Sequence, residues 1–300
     1  MKSARNNDLT AAHQESQDQI NAKYADLSEK CTTRFARDTK AYCFTNEPFG
    51  DLLEARLNLD GPVLTITASG DPVCFFAGKG ALRVDAVDVS KYANAWAEYK
   101  WHSFLTFGLD KFKELLVSNK ARWPQFPFDL PVSEQARQTY APFRENEGVI
   151  ATTGELFLPV HYAGSLPNSS GYIKKGDYEE LQQKAALASV RFYPVDFTSF
   201  FEVEKIPPQH YAAIYISNIL DHTVNLQTGE SDYSVQTMAP LITKLLQHLQ
   251  EDGQLLLNIQ WSNRAKPAIS KALDDCDFAL TPVQKRHDGC GTMYIATQKS

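Results

Sequence analysis

Three acidic residues follow stretches of the sequence that have the composition of buried β-strands. Asp71 closes the segment TASGD (67–71) after the first of them, Asp88 ends the second, and Asp196 lies at the end of the third. In an open parallel sheet, ligands bind beyond the carboxyl ends of the strands, where the winding of the chain reverses. Asp88 comes 18 residues after Gly70, close to the offset of about 20 at which an acid binds ribose hydroxyls in dinucleotide folds. This spacing predicts a nucleoside site.

The loop after the first predicted strand (67–71), which we call the first loop, contains a single glycine. Neither GxGxxG nor GxxxxGK[ST] occurs in the sequence. Such glycine-rich turns cradle the phosphates of NAD, FAD and ATP, so these cofactors are disfavoured. A nucleoside without phosphates fits better, and S-adenosylmethionine is the predicted cofactor. Gly70 would allow close backbone approach and Asp88 would bind the ribose diol. Asp71 would meet the amino-acid end and the sulfonium, and Asp196 would contact the adenine edge.

The predicted cofactor-binding residues lie at four strand ends. They are Thr67, Ser69, Gly70 and Asp71 after the first, Asp88 and Val89 after the second, Asp196 and Phe197 after the third, and Ser217 and Asn218 after the fourth. A single aspartate at a strand end more often caps the following helix, and Ser217 and Asn218 could be caps of this kind. Three aspartates at consecutive strand ends favour binding instead.

Strands and helices alternate along the sequence that would position these residues. Strands are predicted in GPVLTITAS (61–69), ALRVDAVDVS (81–90), VRFYPVDF (190–197), HYAAIYISN (210–218), GQLLLNIQW (253–261), CDFALTPVQ (276–284) and TMYIATQ (292–298), and helices in 91–108 and 235–250. This alternation is typical of a parallel sheet with helices on both faces. The last two strands flank RHDGCG, a turn-forming sequence, and indicate an antiparallel hairpin. We therefore predict an α/β fold with a mostly parallel, seven-stranded sheet.

Two parts of the chain depart from this alternation. Residues 1–50 are predicted to form an N-terminal helical cap and 51–300 the α/β domain. Residues 1–30 carry few large apolar side chains, which indicates a frayed or solvated helix. The interval 109–188 is too long for a simple connection, and we predict a helical insertion between the second and third strands.

The composition and charge of the sequence argue against several kinds of partner, location and metal site. A net charge of −6 gives no support to duplex nucleic acid as the main partner. No apolar run approaches the ~20 residues of a membrane helix, and no apolar stretch follows the first positive charges, so a secretory signal is not expected. The 5 cysteines form no CxxC pair and the 7 histidines show no metal-ligand spacing. We expect a cytoplasmic protein without a metal.

Three segments resemble a known family. VLTITASGD (63–71), AVD (86–88) and IYISNILDH (214–222) are similar to the corresponding motifs of the aminocarboxypropyl transferases that make the first intermediate of betaine lipids. Lys100 matches a lysine at the end of the helix after the second strand. The resemblance runs from about Phe44 to Trp261 and is weakest in the insertion. It departs at Ser90, where the family usually has Asn followed by Pro.

The resemblance implies the class I S-adenosylmethionine-dependent methyltransferase-like fold, which is Rossmann-like. It also implies transfer of a 3-amino-3-carboxypropyl group, to a lipid hydroxyl or to a small amine. A small-molecule methyltransferase and a non-catalytic S-adenosylmethionine-binding protein are the alternatives. The acceptor must lose a proton, and the candidate bases are Asp221, Glu47 and Tyr172, in that order. The basic stretch 111–123 leaves peripheral contact with a lipid surface open, with a solvated helix face as the alternative.

Overall fold

The computed structural model describes residues 15–30, 49–117, 129–145, 178–217, 235–259, 265–284 and 292–299. The strands of this part of the chain are β1 (Val63–Ile66), β2 (Arg83–Val87), β3 (Ser189–Tyr193), β4 (Tyr211–Tyr215), β5 (Leu249–Ile259), β6 (Phe278–Gln284) and β7 (Thr292–Gln298). Its helices are α1 (Gln17–Lys30), α2 (Phe49–Leu52), α3 (Asp71–Gly78), α4 (Lys91–Thr106), α5 (Leu109–Val117), α6 (Glu134–Glu145), α7 (Tyr178–Ala185), α8 (Phe197–Glu204), α9 (Val235–Gln247) and α10 (Ala265–Asp274).

The strands form one 7-stranded sheet in the order β3-β2-β1-β4-β5-β7-β6. The pairs among β1 to β5 are parallel, and β7 runs antiparallel to both β5 and β6. The winding reverses between β1 and β4. This is the Rossmann-like order of the class I methyltransferase-like fold, so the predicted fold and its antiparallel last strand are confirmed. We call the side of the sheet on which β1 to β5 end the carboxyl edge.

Apolar side chains cover both faces of the sheet. Helices α3 to α7 pack on the first face, where Val63, Trp96 and Tyr215 belong to one buried cluster. Helices α1, α8, α9 and α10 contribute to a second cluster on the other face, together with Leu64 and Ile214. Neighbouring residues of β1 and β4 enter different clusters because successive side chains of a strand point to opposite faces. Helices on both faces of the sheet are what the alternation of strands and helices along the sequence predicted.

The described part of the interval 109–188 consists of α5, α6, α7 and the residues that flank them. These helices pack on the same face as α4, and the hydroxyl of Tyr178 on α7 donates to the carbonyl of Phe107 at 2.9 Å. At the start of the basic stretch, Lys111 is exposed and pairs with Glu114 at 2.9 Å. Residues 118–128 and 146–177 lie outside the described residues. The helical insertion is thus seen in its described parts, and its extent stays a prediction.

Helix α1 differs from the frayed or solvated helix that we predicted. Ile20 and Tyr24 are fully buried, and the side-chain amide of Gln17 donates to the Phe192 carbonyl at 2.5 Å and accepts from the Phe192 N–H at 2.9 Å. Because Phe192 belongs to β3, which ends the sheet, this amide continues the hydrogen bonding of an edge strand. The prediction was wrong because it considered only how few apolar residues the segment contains. Ile20 and Tyr24 are four positions apart and so lie on one face of the helix, and this face packs against the sheet.

Helix α6 begins at a polar junction with α1 and α4. The carboxylate of Glu98 on α4 accepts hydrogen bonds from the N–H and the hydroxyl of Ser133, which caps α6. From α1, Asn21 donates to the Ser133 hydroxyl at 3.3 Å and Asp18 accepts from the N–H of Glu134 at 2.9 Å. Two carboxylates therefore meet the positive end of α6. Burial nevertheless raises the pKa of Glu98 to about 7.

This junction should make stability depend on pH. The ordinary pKa of 4.5 applies to Glu98 in the unfolded chain, against about 7 in the folded protein. Between these values the folded protein keeps a proton that the unfolded chain releases, so the free energy of unfolding should fall as pH rises, by up to about 3 kcal/mol. Urea unfolding across this window should show a shallower fall in Glu98→Gln than in the wild type. Glu114→Gln, at an exposed position, is the control; equal slopes in all three proteins would contradict the assignment.

Candidate functional site

The loop after β1 has an unusual backbone. Ala68 and Gly70 both adopt the left-handed conformation, with φ of 45° and 78°. A Cβ atom on Gly70 would lie 2.9 Å from the Cα of Ala97 on α4, closer than atoms pack. Glycine is therefore needed here for its conformation and for the contact between loop and helix. The close approach predicted for Gly70 is made to α4, and its approach to a ligand stays a prediction.

A buried ion pair fixes this loop to α4. The Oδ1 atom of Asp71 lies 2.7 Å from the Nζ atom of Lys100, and neither side chain is exposed. The Ser69 hydroxyl donates to Oδ2 of Asp71 at 2.6 Å, while Lys100 and Trp96 both donate to the Ser69 carbonyl, at 3.2 and 3.1 Å. The observed contacts of Asp71 and Ser69 are thus with the protein itself. Direct ligand binding by either side chain stays a prediction, and these contacts hold the loop against α4.

Asp88 joins the first loop to the end of β2. Its Oδ2 atom accepts from the N–H of Ala68 at 3.2 Å, and its Oδ1 atom from the N–H of Ser90 at 2.9 Å. The side chain is half-buried, and burial raises its pKa to about 6 although both hydrogen bonds act in the opposite direction. A carboxylate has about four lone-pair positions, so two further donors can be accommodated. Two vicinal hydroxyl groups would meet that requirement.

Thr67 and Asn94 link the first loop, α4 and the end of β2 through hydrogen bonds. The buried Thr67 hydroxyl donates to the side-chain carbonyl of Asn94 at 2.8 Å, and the Asn94 amide donates to the backbone carbonyl of Asp88 at 2.8 Å. Contact of Thr67 with a cofactor stays a prediction. Asn94, Trp96 and Ala97 were missed by the sequence analysis. A polar Asn94 among apolar neighbours on a helix was the one local signal available.

At the end of β3, the structure agrees with the alternative that the aspartate caps the following helix. Asp196 is exposed and caps α8, accepting from the N–H of Ser199 at 3.0 Å and from its hydroxyl at 2.7 Å. Phe197 is buried in the second apolar cluster, and Val89 is half-buried. Capping leaves Asp196 at the carboxyl edge, two strands from the first loop. Its contact with an adenine stays a prediction.

At the end of β4 the chain turns through Ser217, whose φ of 55° is also left-handed. The Ser217 carbonyl accepts from the N–H of Asn258 at 3.0 Å. Backbone strain of this kind is concentrated at functional sites, and here it falls beside the point where the winding reverses. The remaining predicted residues, Asn218, Asp221, Glu47 and Tyr172, lie outside the described residues, and their roles stay predictions.

Within the described ranges, no three or more His, Cys, Asp and Glu side chains are grouped so that they could hold a metal ion. No helix in the same ranges has both the length and the apolar character needed to cross a bilayer.

No protein-family model matches the sequence, and no curated protein matches it. Solved structures with a similar chain path include three methyltransferases. The ribosomal protein L11 methylase of Lactobacillus delbrueckii subsp. bulgaricus is 13% identical, with a TM-score of 0.40 over 84% of this chain and 76% of that one. The tRNA methyltransferase TrmI of Aquifex aeolicus is 10% identical, with a TM-score of 0.41 over 85% and 69%. An rRNA methylase of Streptococcus thermophilus is 12% identical, with a TM-score of 0.36 over 85% and 98%. Such values assign no family to the chain, and its fold rests on the strand order itself.

Proposed function

We propose that this protein is an S-adenosylmethionine-dependent transferase that moves a 3-amino-3-carboxypropyl group to an acceptor. The observation that supports a nucleoside most strongly is the geometry of Asp88. Two backbone N–H groups, from Ala68 and Ser90, hold this carboxylate at the carboxyl edge, and its remaining lone pairs suit a ribose diol. The acceptor is proposed to be a small molecule or a lipid, since a net charge of −6 gives no support to nucleic acid.

The charge balance of the first loop supports the same cofactor. An unpaired Asp71 would repel the carboxylate of an amino acid placed over the loop. With Lys100 at 2.7 Å the buried pair is neutral overall, so both the carboxylate and the ammonium group of the methionine moiety can lie near it. The backbone of Ser69 and Gly70 would then bind the amino-acid end, and the end of β4 would face the reacting carbon.

The choice of an aminocarboxypropyl group rests on the resemblance of the first loop, of Lys100 and of SNILD (217–221) to the betaine-lipid transferases. S-adenosylmethionine supplies an electrophilic carbon next to a sulfonium. Attack at the γ-carbon of its methionine chain forms the new bond, and the electron pair of the broken carbon–sulfur bond leaves with methylthioadenosine. The protein selects this carbon by orienting the acceptor. A base must take the acceptor proton, for which Asp221, Glu47 and Tyr172 stay the candidates.

The nucleoside released by the reaction tests this proposal. Incubation of the protein with S-adenosylmethionine and a lipid-containing cell extract should yield methylthioadenosine, identified by mass spectrometry. Because Asp88 is proposed to bind the cofactor, the Asp88→Ala variant should yield far less under the same conditions. S-adenosylhomocysteine as the only product would instead make the protein a methyltransferase. Binding without either product would favour a non-catalytic S-adenosylmethionine-binding protein.

A further inference from the structure

A buried carboxylate on β2 has all its acceptor positions occupied. Asp85 is not exposed, and Arg83 binds it with two nitrogens, Nε at 3.2 Å from Oδ1 and Nη2 at 2.8 Å from Oδ2. The hydroxyl of Tyr211 donates to Oδ2 at 3.0 Å, and that of Tyr193 to Oδ1 at 3.4 Å. Because a carboxylate offers about four lone-pair positions, these contacts saturate Asp85. A second cation beside it finds no acceptor there.

Arg191 is this second cation. It lies directly opposite Asp85 in the register between β3 and β2, so the two side chains share one face of the sheet. Within the described ranges, no carboxylate lies at ion-pair distance from Arg191, and its Nε atom is buried without a hydrogen-bond partner. We call Arg83, Asp85 and Arg191 the arginine cluster. Asp85 balances one of the two arginines, so the cluster keeps one surplus positive charge.

The surplus charge is accessible and has no other balance nearby. Of the three guanidinium nitrogens of Arg191, Nε alone is both buried and unpartnered, so the two Nη atoms reach solvent. The Arg83 side chain is 29% exposed. Burial raises the pKa of Tyr193 while Arg191 acts in the opposite direction, and a neutral phenol carries no charge to balance an arginine. Burial, followed by the charge of Arg83, lowers the pKa of His210 on β4, so this imidazole is neutral too.

We propose that Arg191 binds the carboxylate group of a small organic acid through its two Nη atoms. A guanidinium presents its N–H groups in a planar fork that matches the two oxygens of a carboxylate. One negative charge neutralises the arginine cluster, whereas the charge of about −1.5 to −2 on a phosphate group exceeds the surplus. Asp88 follows Asp85 by three residues, ~10 Å along the strand direction. The site is thus separate from the proposed cofactor site, and the inference does not depend on the proposed function.

Side-chain NMR of isotope-labelled protein tests this assignment. The Nε–H group of Arg191 gives a signal in a nitrogen–proton correlation spectrum, and Arg191→Met identifies that signal by its loss. Titration with sodium acetate should shift the signal until the site is saturated, because Nε belongs to the guanidinium that binds the carboxylate. Sodium chloride at the same ionic strength should not, and inorganic phosphate should bind more weakly than acetate. Arg191→Lys keeps the charge without the fork, and should bind acetate at least about tenfold more weakly.

Melting temperatures separate binding from a purely structural role of Arg191. Relative to chloride, acetate should raise the melting temperature of the wild type and of Arg56→Met, a control at an exposed arginine, but not that of Arg191→Met. Without acetate, Arg191→Met should melt no lower than the wild type, because it removes a charge that lacks a counter-ion. An Arg191 signal that responds alike to acetate and chloride would overturn the inference, as would an acetate effect that persists in Arg191→Met. Tighter binding of phosphate than of acetate would overturn the assignment to a carboxylate.

Discussion

Replacing Lys100 by methionine should lower the free energy of unfolding by about 3–5 kcal/mol, the usual cost of removing one partner of a buried ion pair. Lys100 and Asp71 lie 2.7 Å apart and neither is exposed, so the variant would leave a carboxylate in the interior without its counter-ion. Methionine keeps most of the length and volume of the lysine chain, which limits the effect to the charge. Urea unfolding monitored by circular dichroism measures the change.

Two further variants separate the ion pair from other causes. Asp71→Asn combined with Lys100→Met removes both charges and should recover most of the lost stability, because no ion is then left unpaired. Lys111→Met removes a lysine that is exposed and paired with Glu114, and should change stability by less than about 1 kcal/mol. If Lys100→Met loses no more stability than Lys111→Met, the buried pair is not what holds the first loop to α4.

The positions of most strands along the chain could be predicted because local sequence patterns determine them. β1 and β2 lie within the segments predicted for them, and the terminal hairpin of β6 and β7 has the predicted direction. The boundary between α9 and β5 was placed less well. Helix α9 ends at Gln247, and β5 starts at Leu249, four residues before the prediction. Leu249 fits the apolar period of the helix, but it pairs with Tyr211 of β4, a contact that the local pattern does not contain.

In the candidate site too, features that depend on local spacing could be predicted, whereas contacts between residues far apart in the sequence could not. The offset between Gly70 and Asp88 depends on chain length alone, and the structure does bring the loop and the acid together through Ala68. The partner of Asp71 is Lys100, 29 residues later in the sequence. No spacing rule relates a loop acid to a lysine on a later helix, so the ion pair of Asp71 with Lys100 could not be predicted. Whether Asp71 also contacts a ligand stays a prediction. The resemblance pointed to Lys100 without indicating what it contacts.

Asp88→Ala should weaken the binding of S-adenosylmethionine by tens to hundreds of fold, corresponding to roughly 2–3 kcal/mol for the loss of a charged acceptor. The variant removes the proposed contact with the ribose and also the bond that holds Ala68, at 3.2 Å. Calorimetric titration gives the affinity directly. Asp110→Ala is the control, since Asp110 is an exposed acid in the first turn of α5. Wild-type affinity in Asp88→Ala would place the cofactor elsewhere.

The pH dependence of S-adenosylmethionine binding identifies the acid that contacts the cofactor. Burial raises the pKa of Asp88 to about 6, so the carboxylate becomes protonated as the pH falls through that value and can then accept fewer hydrogen bonds. Affinity should therefore be constant above about pH 7 and fall by up to tenfold per unit well below pH 6. This fall should be absent from Asp88→Ala, because the titrating group is gone. A variant that binds weakly but keeps the same pH profile would show that another acid contacts the cofactor, and that Asp88 acts only by holding the first loop in its left-handed conformation.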